Sequence, residues 1–198
     1  MPYRRTPAVQ QRLDDQRDAI AAAAVALVAE RGYREMSIAA VAERAGVATG
    51  SVYRHFADKS DLMVQIFRDL CGREVEAVAS AAATGSAVVR ISAIVETFAF
   101  RALHNPVLAY ALLAEPVDAA VDAERLVLRR AFAAAFSGAI RYGITTGEFP
   151  DQDPDLAAAA LVGAVGEVLT GPLQAGAASA DTVPALVALS LRALGAHS

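Results

Sequence analysis

The sequence predicts an all-α protein of about nine helices, on three observations. Alanine dominates a chain that is 55% hydrophobic, and β-branched residues rarely alternate as they do in strands. Apolar residues recur at helical spacing, as in Ile38, Val41, Ala42 and Ala45. Helix punctuation recurs as well: Asp58, Asn105-Pro106 and Asp153-Pro154 read as starts, and Gly32 and Gly46 read as ends.

Taken in order, residues 1–11 are expected to form a mobile arm carrying Arg4 and Arg5. A first helix is predicted from about Leu13 to Arg31, with Ile20, Ala24, Leu27 and Val28 facing inward. Ser37 then caps a short second helix through its hydroxyl, and Gly46 ends that helix in a left-handed conformation. A third helix is predicted from Ala48 to His55, with Val52 and, just beyond it, Phe56 facing inward. Asp58 and Asp61 approximate a capping box at the start of a fourth helix, which is predicted to run to about Ala83. A fifth helix is predicted over 88–103 and a sixth from Pro106 to the Glu115-Pro116 break. In a seventh, from about Asp122 to Thr146, Leu128, Phe132, Phe136 and Ala139 form one face. Arg125, Arg129, Ser137 and Arg141 are read as the opposite, solvated face. The eighth helix starts at Pro154 and the ninth near Thr182. Neither has a polar face wide enough for a surface helix, so both are expected to bury apolar surface against a second subunit. The expected interface contains Leu161, Val165, Leu186 and Leu189, or their immediate helical neighbours.

A short helix, a glycine turn and a second helix with a small, polar N-terminal half form a helix-turn-helix, whose second helix enters the DNA major groove. The small residues Ala48, Thr49, Gly50 and Ser51 allow close approach, and hydroxyls and amides there meet phosphate or base edges. Tyr53 and Arg54 lie further along. A guanidinium fits the O6 and N7 edge of guanine, which makes Arg54 the candidate for direct base reading. Charge is distributed accordingly: residues 1–60 carry nine basic and seven acidic side chains, whereas the whole chain has a net charge of −4.

The run AAVAERAGVATGSVYRHFADKSDL resembles the DNA-binding domain of TetR-type transcriptional regulators. The resemblance is continuous from about Leu13 to Phe67. Its most specific pieces are AGV at the turn, VYRHF in the third helix, and Lys59 before Asp61-Leu62. It implies a DNA-binding domain over 1–57 and an effector-binding and dimerisation domain over 58–198. It also implies that Tyr53, His55 and Lys59 reach phosphate, and that the last two long helices build a four-helix bundle across a dimer axis. The protein is thus expected to be a homodimeric repressor, released from a palindromic double-stranded DNA operator by a small-molecule effector. The alternative is a C-terminal domain that binds a protein partner or only dimerises. Met63, Phe67, Phe98, Tyr110, Phe132 and Phe136 are the candidate lining of an effector pocket, with Arg101, Glu115 or Glu167 as polar anchors.

Catalysis finds no support: HExxH, CxxC, GxSxG and phosphate-loop patterns are missing from the sequence. One cysteine and three scattered histidines do not suggest a metal site, and no cofactor is expected. Cys71 is read as a packing residue in a reducing compartment. No targeting segment is read, and the apolar runs Leu156–Gly166 and Thr182–Leu191 fall short of the roughly 20 residues that span a bilayer. A cytoplasmic protein without membrane contact is therefore expected.

Overall fold

A computed structural model describes residues 7–196. Among them are nine helices and no strand: α1 Pro7–Arg31, α2 Ile38–Arg44, α3 Thr49–Val52, α4 Lys59–Ala81, α5 Ala87–His104, α6 Pro106–Leu113, α7 Ala119–Thr146, α8 Pro154–Ala175 and α9 Thr182–Ala193. The starts read from sequence are made by the expected side chains. Ser37 Oγ accepts from the Ala40 amide at 3.2 Å, and Asn105 Oδ1 accepts from that of Leu108 at 3.0 Å. Asp153 Oδ1 takes the Asp155 and Leu156 amides at 2.9 and 3.1 Å. At α4, Asp58 Oδ1 accepts from the Asp61 amide at 2.8 Å while Asp61 Oδ2 reaches back to that of Ala57 at 2.9 Å. Each such cap is worth roughly 1 kcal/mol.

Helices α1 to α3 pack as one unit, which α4 leaves to join α5 and α7. Helix α5 also packs on α9, and α7 lies along α8. Helix α4 is not the sole bridge between the two halves. Helix α6 also packs directly on α1, and on its other sides meets α5 and α8. The apolar core is one connected cluster from Ile20 in α1 to Leu194 after α9, with Leu62, Ile66 and Phe67 of α4 at its middle. Burying each of these large side chains contributes about 1.5–3 kcal/mol.

Four expectations need correction. Helix α1 begins at Pro7 rather than near Leu13, because proline fits a first helical turn and Gln10 and Gln11 donate to Asp14 and Asp15 one turn on, at 2.9 and 2.8 Å. Arg4 and Arg5 lie outside the described residues. Helix α3 ends at Val52; Tyr53, Arg54 and His55 continue it only as turns, the amides of His55 and Phe56 both bonding Val52 O. On α7, Arg125 and Ser137 are buried, at 8% and 3% exposure, rather than solvated. Arg125 stands three residues before Leu128, on the apolar stripe itself. Finally, Leu161, Val165 and Leu186 are at most 4% exposed within the single chain, packed in its own core. Of the four residues expected at the subunit interface, only Leu189 is exposed, at 42%. The unpaired surface of α8 is its other face, with Leu156, Ala160 and Gly163. By length and composition α8 alone among the described helices is apolar enough to cross a membrane, yet one side of it is committed to α7 and the core.

Candidate nucleic-acid interface and effector cavity

Thr49, Gly50, Tyr53 and Arg54 are exposed on one edge of the α1–α3 unit, and Ser51 is half-buried beside them. The Tyr53 ring is 54% exposed, so it is not a core residue. Arg54 Nη2 donates to Ser51 Oγ at 2.9 Å, which sets the guanidinium beside the small N-terminal turn of α3. The two remaining candidates face inward. His55 is half-buried, its Nε2 lying 3.0 Å from Gln16 Oε1, so it ties the recognition segment to α1. Burial first, then the neighbouring Arg54 and Arg17 guanidiniums, push the His55 pKa below the usual imidazole value. Lys59 Nζ donates to Tyr33 O at 2.9 Å and sits 4.1 Å from the centre of the Tyr33 ring. Burial lowers its pKa, against the pull of Asp118 and Glu115. Lys59 is thus a staple between the start of α4 and the α1–α2 turn, whatever else it meets. Arg17 adds a second tie, donating to Gln65 Oε1 on α4 at 2.7 Å.

The α1–α2 turn is gripped a second time, from the α6–α7 loop. Glu115 is 7% exposed. Its Oε2 accepts from the Tyr33 amide at 2.7 Å and its Oε1 from the Arg34 amide at 3.1 Å. The Tyr33 hydroxyl donates to Asp118 Oδ2. Desolvation and then this carboxylate drive the Tyr33 phenol above its usual range. Gly32 makes room for the grip: its φ is +82°, and a Cβ there would lie 3.0 Å from Glu115 Oε2. Glu115 is therefore not a pocket anchor; its carboxylate points at the other half of the molecule.

A cavity of about 670 Å³ opens between α5, α7 and α8. That is an ordinary size for a small-molecule site. Phe98, Phe132, Phe136 and Glu167 of the predicted lining border it. Phe98 and Phe132 meet edge to face at 5.1 Å and also form the wall of a smaller space, about 60 Å³, that Arg101 borders. Arg101 is engaged with Glu74 of α4. Met63 and Phe67 are core residues, at 3% and 1% exposure, and with half-buried Tyr110 they border neither space. Cys71 is buried, its thiol pushed up to about 12 by desolvation first and the Glu74 and Glu124 charges next.

The cavity is bordered by three arginines that the sequence reading did not assign to it: Arg125, Arg129 and Arg130. Arg129 and Arg130 are exposed. Arg125 is buried and donates to Leu112 O at 2.9 Å, Ala111 O at 3.2 Å, Glu115 O at 2.8 Å and Asp122 Oδ1 at 2.9 Å. Its position on the Leu128–Phe132–Phe136 stripe was the available signal. Among the described residues no group of three or more histidine, cysteine or carboxylate side chains is arranged to hold a metal ion.

A family model described as bacterial regulatory proteins of the tetR family matches residues 20–66. The chain is 32% identical over 146 residues to the HTH-type transcriptional repressor KstR2 of Rhodococcus jostii, covering 68% of each protein. It is 37% identical over 54 residues to the fatty acid metabolism regulator protein of Bacillus subtilis, a match confined to 27% of this chain and 28% of that one. Its fold is similar to the crystal structure of the Bacillus subtilis transcriptional regulator FadR in complex with stearoyl-CoA, with a TM-score of 0.71 at 24% identity, covering 90% of this chain and 95% of that one. Helix-turn-helix geometry, the nine helices among the described residues and an identity that extends well beyond the DNA unit agree: the chain belongs to the tetR family of bacterial transcriptional regulators.

Proposed function

We propose that this regulator is a cytoplasmic, homodimeric repressor released from a palindromic operator by a long-chain acyl thioester of coenzyme A. In this reading residues 1–57 read DNA, and residues 58–198 bind effector and dimerise. Thr49, Gly50, Ser51, Tyr53 and Arg54 would meet the groove, with His55 and Lys59 behind them. The two recognition segments of a dimer would read half-sites one helical turn, or a multiple of it, apart. The unpaired faces of α8 and α9, including Leu156 and Leu189, supply the apolar surface for pairing.

The observation that carries the ligand class is the cavity: an apolar wall of Phe98, Leu128, Phe132 and Phe136 edged by three arginines. Such a site suits an amphiphile with a long apolar body and an anionic head, because guanidiniums pair with phosphate in a bidentate fashion. The Bacillus subtilis regulator of similar fold was solved with a ligand of that chemistry. The test is a titration of the protein on an operator selected from random DNA, with stearoyl-CoA, stearate and coenzyme A as separate arms. Release by stearoyl-CoA alone supports the reading. If calorimetry detects no binding of stearoyl-CoA, the ligand class is wrong.

A further inference from the structure

We propose that Arg125 and Glu115 are positioning residues that connect the cavity to the helix-turn-helix unit. The proposal deepens the effector reading and rests on it for the identity of the ligand. The connection runs through one residue. Arg125 Nη2 holds the main-chain oxygen of Glu115 at 2.8 Å, and the side chain of that same Glu115 holds the amides of Tyr33 and Arg34 at 2.7 and 3.1 Å. Two further carbonyls at the end of α6, those of Ala111 and Leu112, are held by the same guanidinium. These carbonyls have no partner further along the helix, so Arg125 acts as the C-terminal cap of α6 from a neighbouring helix.

Arg125 borders the cavity while doing this. Four of its five N–H groups are engaged, three of them with neutral carbonyls. An anionic or strongly polar group arriving in the cavity finds one unused N–H, and it must compete for the rest. The bonds of the guanidinium are charge-assisted with either acceptor, but only an anion adds the attraction of two opposite full charges in a partly desolvated site, so the newcomer competes for N–H groups now held by carbonyls. Loss of the Arg125 bond lets the Glu115 main chain move, and the carboxylate moves with it. The α1–α2 turn then loses two of the bonds that fix it relative to α6. Lys59 and Asp118 hold the same turn through Tyr33, so its position is set jointly by α4 and by the α6–α7 loop. A ligand acts here only through its different affinity for the gripped and released arrangements.

The experiment measures three quantities on wild type and Glu115→Gln: stearoyl-CoA affinity by calorimetry, operator affinity with and without stearoyl-CoA, and amide exchange at Tyr33 and Arg34. Glu115→Gln is expected to bind stearoyl-CoA at least as tightly as wild type, since Glu115 does not border the cavity and a weakened grip lowers the cost of release. The ratio of operator dissociation constants with and without ligand is expected to fall towards one, from the roughly 5–150-fold typical of such coupling. A variant that keeps the wild-type ratio overturns the proposal. If wild type does not bind stearoyl-CoA at all, the ligand class fails, and the connection is read in the ligand-free protein instead. There, Arg125→Lys is expected to speed exchange at the Tyr33 and Arg34 amides about tenfold or more while the Leu27 amide in the α1 core is unchanged. Unchanged exchange at both amides in the folded variant overturns the connection. Should Arg125→Lys fail to fold, Asp122→Asn, which removes the carboxylate partner of Arg125 on the exposed side, is read by the same criterion.

Discussion

Gly32→Ala and Gly46→Ala together measure how tightly Glu115 grips the α1–α2 turn. Both glycines end a helix with positive φ, +82° and +66°. A left-handed alanine costs about 1–2 kcal/mol, and this applies to both sites. At Gly46 nothing lies within 4 Å of the added methyl, so the backbone term is the whole effect. At Gly32 the methyl meets Glu115 Oε2 at 3.0 Å and Oε1 at 3.1 Å. The carboxylate must retreat by a few tenths of an ångström, lengthening both of its bonds to main-chain amides. Hydrogen bonds to a charged acceptor contribute roughly 1.5–3 kcal/mol each, so losing half of one adds about 1 kcal/mol. Gly32→Ala is therefore expected to destabilise by about 2–3 kcal/mol and Gly46→Ala by about 1–2. Urea unfolding at pH 7 and one fixed protein concentration compares them, the concentration mattering because a dimer gains stability by mass action. A double-mutant cycle closes the argument: in a Glu115→Ala background the excess at Gly32 should vanish. An equal cost for the two substitutions in wild type, or an excess that survives in that background, refutes the reasoning.

Other consequences are as direct. Lys59→Ala should lower stability by about 1–2 kcal/mol through loss of the bond to Tyr33 O, burial offsetting part of that bond's worth. It should also lower the salt slope of DNA binding by about one unit; a stability loss with an unchanged slope makes Lys59 a staple only. Arg54→Ala should relax preference at one base position, at roughly 1–3 kcal/mol on the cognate site; a uniform loss over all sites makes it a backbone contact. Leu186→Glu should unfold the chain, because it puts an unpaired charge in the subunit core, whereas Leu189→Glu should leave a folded protein that sediments as a monomer and binds DNA weakly. A Leu189→Glu variant that stays dimeric moves the interface elsewhere. The pKa of His55 is lowered in the folded state, so its contribution to stability is fully present above the unfolded value near 6.5 and is lost as pH falls through the interval down to the folded value. Urea midpoints between pH 5 and 8 should thus fall on acidification more steeply in wild type than in His55→Gln, and parallel curves would remove His55 as the cause.

The parts of the fold that were legible in the sequence are those whose cause is local. Ser37, Asp58, Asn105 and Asp153 cap helices by reaching two or three residues ahead, and the chain order of those residues is enough to see it. The recognition segment was legible for the same reason: the small residues, the turn glycine and the outward Tyr53 lie within one short stretch. What was illegible depends on which helices meet. The apolar faces of α8 and α9 are real, but only assembly of the chain shows that Leu161, Val165 and Leu186 fill its own core and that the opposite face is left over. Glu115 read as a pocket anchor, because its true partners at Tyr33 and Arg34 are more than 80 residues away. Arg125 could have been read better: three residues before Leu128 places it on the buried stripe, and a charge on such a stripe demands several partners.

The grip of Glu115 falls on main-chain N–H groups, and that choice separates two kinds of sequence constraint. Every residue but proline offers an amide, so the turn keeps its bonds whatever side chain stands at position 34. Only Gly32 is dictated, by its backbone angle and by the space the carboxylate occupies. The residues proposed to face the groove, Thr49, Gly50, Ser51, Tyr53 and Arg54, take no part in the grip. On that proposal, retargeting this regulator to a new operator is a matter of rewriting the exposed positions of one short segment around buried Val52, with its linkage to the rest of the molecule carried over intact.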